Sequence, residues 1–187
     1  MPPLPVTDAV LEKNIATTLG DVFRLLNDAD KVGTRAKTVY YKCAFLLLAS
    51  ITEALVFDFI KCRTDADPSL IPRADTTTHK HIQHLNSANL DTPKRLSIVE
   101  EVPLAATFAD ITKDFNRMND FCRKHLSIPP KQFRNLDYVR RKRNEIHLQG
   151  LTSSSRSYTR VQINKVGDSM VDMLVELETL NPTLTVR

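Results

Sequence analysis

Glycine is scarce, with four in 187 residues, and tryptophan is absent. Sandwiches and barrels, which need many tight turns, are therefore disfavoured. The three cysteines, Cys43, Cys62 and Cys122, include no C-x-x-C pair, so neither a zinc knuckle nor a redox couple is indicated. On one shared helix Cys43 and Cys62 stand roughly 28 Å apart at 1.5 Å per residue and cannot bond within a chain. Reduced, mostly buried thiols in a cytosolic protein are the simplest account. No apolar run approaches the ~18 residues that cross a bilayer, so no membrane partner is expected. The opening M-P-P-L-P-V-T-D lacks the charged and apolar regions of a signal peptide, and the expected location is cytoplasmic. There is no G-x-x-x-x-G-K-[ST], no G-x-G-x-x-G and no G-x-S-x-G, which removes the folds those motifs mark. Internal repeats and heptad arrays are also missing. The charge is only +4, from 26 basic and 22 acidic residues, so any anion site must be local rather than global.

What the chain does carry is helical periodicity. Leu11, Ile15, Leu19, Val22, Phe23 and Leu26 mark a first helix from about Asp8 to Leu26, capped by Thr7 or Asp8. Asn27 to Asp30 reads as a turn and Gly33 as a breaker. A second helix, from about Thr34 to Cys62, is apolar nearly all round through Val39, Cys43, Phe45 to Leu48, Ile51, Leu55, Val56, Phe59 and Ile60. Such a helix belongs at the centre of a bundle. Phe108, Ile111, Phe115, Met118 and Phe121 form the stripe of a third, from about Leu104 to His125. A fourth runs from Lys131 or Asn135 to His147 or Leu148, with Gly150 as its stop. A polar loop from Thr152 to Thr159 leads to a fifth, from Val161 or Asn164 to Leu180, ahead of a loose tail. The fold expected is all-α: one domain, a five-helix up-down bundle.

The segment from Cys62 to Leu104 reads as a long irregular insertion with one short helix near Thr78–Leu85. Its His79, His81 and His84 invite a metal reading. On a helix, however, His81 and His84 share a face and His79 points elsewhere. No nearby cysteine or close carboxylate completes a tetrahedral set, so surface histidines are expected and no metal is assigned. A loop this long suits a lid or a partner-binding surface.

The chemistry concentrates in D-Y-V-R-R-K-R-N-E-I-H-L-Q-G, Asp137 to Gly150. Arg140, Arg141, Lys142 and Arg143 face only two acids within the stretch. Arg143 and His147 are four apart and Arg140 and His147 seven apart, so each pair shares a helix face. Guanidinium holds phosphate bidentately, and imidazole moves protons near neutral pH. A guanidinium pair, the carboxamide of Asn144 and an imidazole on one spot suit phosphodiester chemistry without a metal. The plainer account is a solvated basic face that complements the helix dipole. Glu53 interrupts the apolar second helix. It is either an edge carboxylate reaching water or the partner that orients an arginine of the basic stretch.

R-N-E-I-H, Arg143 to His147, near a helix end and ahead of a last amphipathic helix, resembles the motif of the HEPN superfamily. The long apolar helix with A-S-I-T-E-A-L-V resembles an earlier helix of that family. The family pattern leaves four to six residues between Arg and His. Arg143 is the one followed by Asn but leaves three, whereas Arg141 leaves five and Arg140 six, so the motif Arg stays open among them. The resemblance implies a HEPN-type bundle and a metal-independent endoribonuclease without cofactors, commonly a prokaryotic toxin or antiphage-defence effector. It implies Arg143, Asn144 and His147 as catalytic residues, with Arg140, Arg141 and Lys142 on RNA phosphates. It also implies a homodimer and an antitoxin protein as a partner. The competing reading is a non-catalytic helical module binding RNA, a nucleotide or a protein. A third makes Arg143 and Asn144 a dimer seam.

Overall fold

The computed structural model describes the backbone of residues 4–86, 95–149 and 158–180, and the side chains of 4–72, 106–146 and 158–180. The Gly150 stop, most of the Thr152–Thr159 loop, the 181–187 tail and the side chain of His147 lie outside those residues.

The body is helical. Helix α1, Ala9–Ala29, starts where the Asp8 carboxylate accepts the backbone N–H groups of Val10 and Leu11, which otherwise lack intrahelical partners. It takes in Asn27, Asp28 and Ala29 of the expected Asn27–Asp30 turn and ends with Asp30 as its C-cap. Gly33 is the N-cap of α2, Thr34–Ala66, a 33-residue helix four residues longer than the apolar run indicated. Phe45, Leu55, Val56 and Ile60 are fully buried along it. Helix α1 and three later helices, α4 (Phe115–His125), α5 (Pro130–Gln149) and α6 (Arg160–Leu180), pack on α2, as a helix apolar on every side requires. Three residues assigned to apolar faces are instead exposed, Phe23 at 59%, Val39 at 60% and Cys43.

One expectation about α2 needs correction. It contains an 18-residue window apolar enough to span a bilayer, and 61% of that window is buried against the fold. The contiguous-run count missed it because Ser50, Thr52 and Glu53 interrupt the run without lowering its average much. The thiols also differ among themselves. Cys43 is exposed, Cys62 half-buried and Cys122 buried, where burial pushes the Cys122 thiol up to about 12.

After a 3-10 turn at Pro68–Leu70 the expected irregular insertion is a β-hairpin. Strand β1, Arg73–Asn86, pairs antiparallel with β2, Arg95–Ala105. The short helix expected at Thr78–Leu85 is therefore strand. The preceding Thr76, Thr77 and Thr78 are β-branched and favour strand, and pairing with β2 decides the run that follows. Pro103 is accommodated because both strands of a two-stranded sheet are edges.

The expected third helix from Leu104 is also divided. Strand β2 holds residues to Ala105, and then α3, Phe108–Ile111, precedes α4, Phe115–His125. Two caps impose the break. Thr107 and Asp110 form a reciprocal capping box. The backbone N–H and hydroxyl of Thr107 hold the Asp110 carboxyl below its usual range. Asp114 then caps α4 through the N–H of Arg117. Helices α5, Pro130–Gln149, and α6, Arg160–Leu180, fall where the periodicity places them. Among the described residues there are thus six helices and a hairpin, not five helices and a loop.

The N-terminal segment is tied down. Val6 is buried, the Leu4 N–H donates to Glu12, and Thr7 donates both its N–H and its hydroxyl to the buried Asp58 carboxylate on α2. Asp58→Ala removes the acceptor of both Thr7 donors. A loss of about 1–3 kcal/mol is expected, read as a lower urea midpoint at unchanged slope.

Candidate functional site

Helix α5 turns a stripe of Gln132, Leu136, Val139 and Ile146 into the core. Arg143 falls on the same i, i+3, i+4 row. The sequence therefore sends a cation into a seam built for apolar side chains. On α2 the interruption of the apolar surface is Glu53, and the two meet: Arg143 Nη2 lies 3.0 Å from Glu53 Oε2, with the side chains 29% and 24% exposed. Of the two readings of Glu53, the structure has the one in which it pairs with the basic stretch. At that depth neither charge is well hydrated, and each makes the other tolerable.

The remaining cations are paired locally. Arg140 places Nη2 2.7 Å from Asp137 Oδ1 and Nε 3.2 Å from the same oxygen. Arg141 reaches the other oxygen, Oδ2, at 3.0 Å. Lys142 meets Glu145 Oε2 at 2.7 Å. Four cations thus share three carboxylates, Asp137, Glu145 and Glu53. The surplus is one positive charge before His147 is considered, less than the run of basic residues suggests. Arg141 is 63% exposed and Asn144 is exposed. Arg140, Lys142 and Arg143 are half-buried.

The structure thus brings Arg143 and Glu53 together and keeps the other basic side chains on the helix surface around them. His147 follows Arg143 by one turn of α5. Neighbouring contacts stiffen α5. Lys165 Nζ of α6 sits 4.1 Å above the Tyr138 ring, and the Arg123 guanidinium of α4 is 5.1 Å from the Phe133 ring.

Sequence reasoning missed a cleft of about 550 Å³ that Glu53 lines together with Ser50, Phe57, Asp58, Lys61 and Met118. Its signal was present as polar residues spaced by three to five along an otherwise apolar helix, Ser50, Glu53, Asp58 and Lys61. Asp58 is occupied in holding Thr7, and Phe57 stacks edge-on against Phe108 at 5.3 Å. Among the residues with described side chains, no group of three or more His, Cys, Asp or Glu gathers to hold a metal.

No family model, curated protein or solved structure matches the chain.

The half-buried pair makes a prediction about stability. Arg143→Ala and Glu53→Ala are each expected to cost about 1–3 kcal/mol, because each leaves a half-buried charge unpaired. The double variant is expected to cost less than the sum, with a coupling of about 0.5–3 kcal/mol in a double-mutant cycle. Additive single effects would mean that the two side chains do not support each other in solution.

Proposed function

We propose that this chain is a metal-independent endoribonuclease of HEPN type, acting on RNA in the cytoplasm as a homodimer. The observation that carries the reading is the Glu53–Arg143 ion pair. It gives the motif arginine a fixed partner on the central helix, one turn before the motif histidine. A guanidinium has five N–H donors, more than one carboxylate uses, so Glu53 orients Arg143 while leaving it competent for a phosphate oxygen. The pairing also favours Arg143 over Arg140 and Arg141 as the motif residue, since those two share Asp137 on the helix surface.

In this mechanism a ribose 2′-hydroxyl attacks the adjacent phosphorus, the 5′-oxygen of the next nucleotide leaves, and a 2′,3′-cyclic phosphate remains. One proton must be removed from the attacking oxygen and one delivered to the leaving oxygen. A single chain supplies one motif histidine, and a symmetric dimer supplies two. His147 of one subunit acts as base and that of the other as acid. Arg143 stabilises the charge that grows on the phosphorane, and Asn144 positions RNA by hydrogen bonding. Arg140, Arg141 and Lys142 meet flanking phosphates. A cell making such an enzyme has to restrain it, which fits a toxin or antiphage effector with an antitoxin partner.

Purified protein with RNA in excess EDTA is expected to release fragments ending in cyclic phosphate, and His147→Ala to stop cleavage while keeping RNA affinity. Cleavage that persists in His147→Ala, or products lacking the cyclic phosphate, would sink the mechanism.

A second reading has its own observation. Each of the four cations already holds a carboxylate, as in a module that exchanges those acids for a ligand without cleaving it. Asp137→Asn frees Arg140 and Arg141 together. If the cluster meets RNA phosphates, that variant is expected to bind RNA several-fold more tightly, with a steeper salt dependence. Unchanged affinity and slope would remove both arginines from the interface.

A further inference from the structure

The cleft of about 550 Å³ beside Glu53 has no part in the chemistry proposed above. Its volume is that of a small-molecule site. Leu11, Ala54, Phe57 and Met118 give it apolar walls. Phe57 is 39% exposed, so part of its ring stays open although Phe108 holds it edge-on. The polar groups of the lining are nearly all acceptors. The Ser50 hydroxyl already donates to the Leu46 carbonyl at 3.0 Å, that of Thr112 to the Phe108 carbonyl at 2.9 Å, and that of Thr7 to Asp58. Each oxygen keeps lone pairs and has no proton left to offer. The ionised carboxylates of Asp8, Glu53 and Asp58 only accept. The one cation on the lining, Lys61, leans on Asp65, with Nζ 3.8 Å from Oδ2.

The charges of the cleft are also out of balance. Glu53 has Arg143, which contacts one of its two oxygens, Oε2. Asp58 is only 3% exposed, and its acceptors are met by the uncharged N–H and hydroxyl of Thr7. Asp8 takes the backbone N–H groups of Val10 and Leu11. Among the described residues neither Asp8 nor Asp58 lies within ion-pair distance of a cation. A buried carboxylate is ordinarily matched by a positive charge, and at Asp58 the fold supplies none.

We propose that this cleft binds a small organic cation, a planar amidinium or guanidinium on an apolar body, with its N–H groups toward Glu53, Asp8 and the Ser50 oxygen and its body against Phe57 and Met118. Such a head carries several donors in one plane, which a lining of acceptors can use together. It is more weakly hydrated than an ammonium, so apolar walls cost it less, and an aromatic ring attracts it further. Its charge balances the carboxylates that the fold leaves unmatched. The same lining repels phosphates and carboxylates, so the cleft is not a continuation of the basic surface of α5. Binding of the cation is read without RNA and stands or falls apart from the ribonuclease reading.

The test is calorimetric titration of the full chain with benzamidinium, beside benzamide, a neutral molecule of the same shape. The cation is expected to bind saturably at one equivalent, and the amide at least about tenfold more weakly. Asp8→Asn keeps the helix cap and removes the charge, while Phe57→Leu keeps an apolar wall and removes the ring. Each is expected to weaken benzamidinium several-fold. Asp172→Asn removes a carboxylate on α6, outside the cleft, and is expected to bind as wild type does. No saturable binding of benzamidinium, equal binding of benzamide, or wild-type affinity in both cleft variants overturns the proposal. So does an equal loss in Asp172→Asn, since the attraction would then belong to the whole surface. A pentapeptide with a central arginine distinguishes the source of the cation. Weaker binding than benzamidinium supports a free small molecule, and tighter binding overturns that assignment in favour of an arginine side chain from a protein partner.

Discussion

Burial of α2 is the constraint on which everything else in this molecule rests. A 33-residue helix is about 50 Å long, and most of its circumference is apolar. No single neighbour can cover such a surface. Helices α1 and α6 lie along it, while α4 and α5 cover what remains. The polar residues of α2 acquire their meaning from this demand. A carboxylate on a surface that must be covered has to be matched by whatever covers it. Asp58 is matched by Thr7 and Glu53 by Arg143. The candidate site is in this sense a solution to a packing problem, one that also fixes a guanidinium beside the last turn of α5.

The ion pairs set the electrostatic character of α5 more than its composition does. Asp137 serves both Arg140 and Arg141 through separate oxygens, and all these contacts are three or four residues apart on one helix, where isolated pairs contribute only a few tenths of a kcal/mol each. They are easily broken. The Arg143–Glu53 contact joins two helices at partial burial and is of a different kind, costly to break from either side. An anion approaching the cluster thus meets a yielding rim and a fixed centre.

Much of this was legible in the sequence. Helices α1, α2, α5 and α6 follow from apolar spacing, and their ends from Asp8, Gly33 and the residues around Pro130. Arg143 and Glu53 each stood out as charges in the wrong place, but nothing local says that one faces the other. That depends on how α2 and α5 cross, which is a tertiary fact. The segment after Ala66 was misread because Ile82 and Leu85 in H-K-H-I-Q-H-L stand three apart, a helical spacing, and the partner strand that decides for β structure begins only at Arg95. The α3–α4 break was missed for a different reason. The apolar stripe from Phe108 to Phe121 continues across it, and only Thr107, Asp110 and Asp114, side chains that compete for backbone N–H groups, reveal the interruption.

The tethered N-terminus has a consequence for how the chain is made. Val6 and Thr7 leave the ribosome before α2 does, and Thr7's partner Asp58 lies 51 residues downstream. Until α2 has been synthesised and α1 has folded back on it, the opening residues have nothing to hold. Their docking spans both helices, so it comes after the α1–α2 pairing. The residues just ahead of α1 are thus among the later ones of this helical pair to find their place.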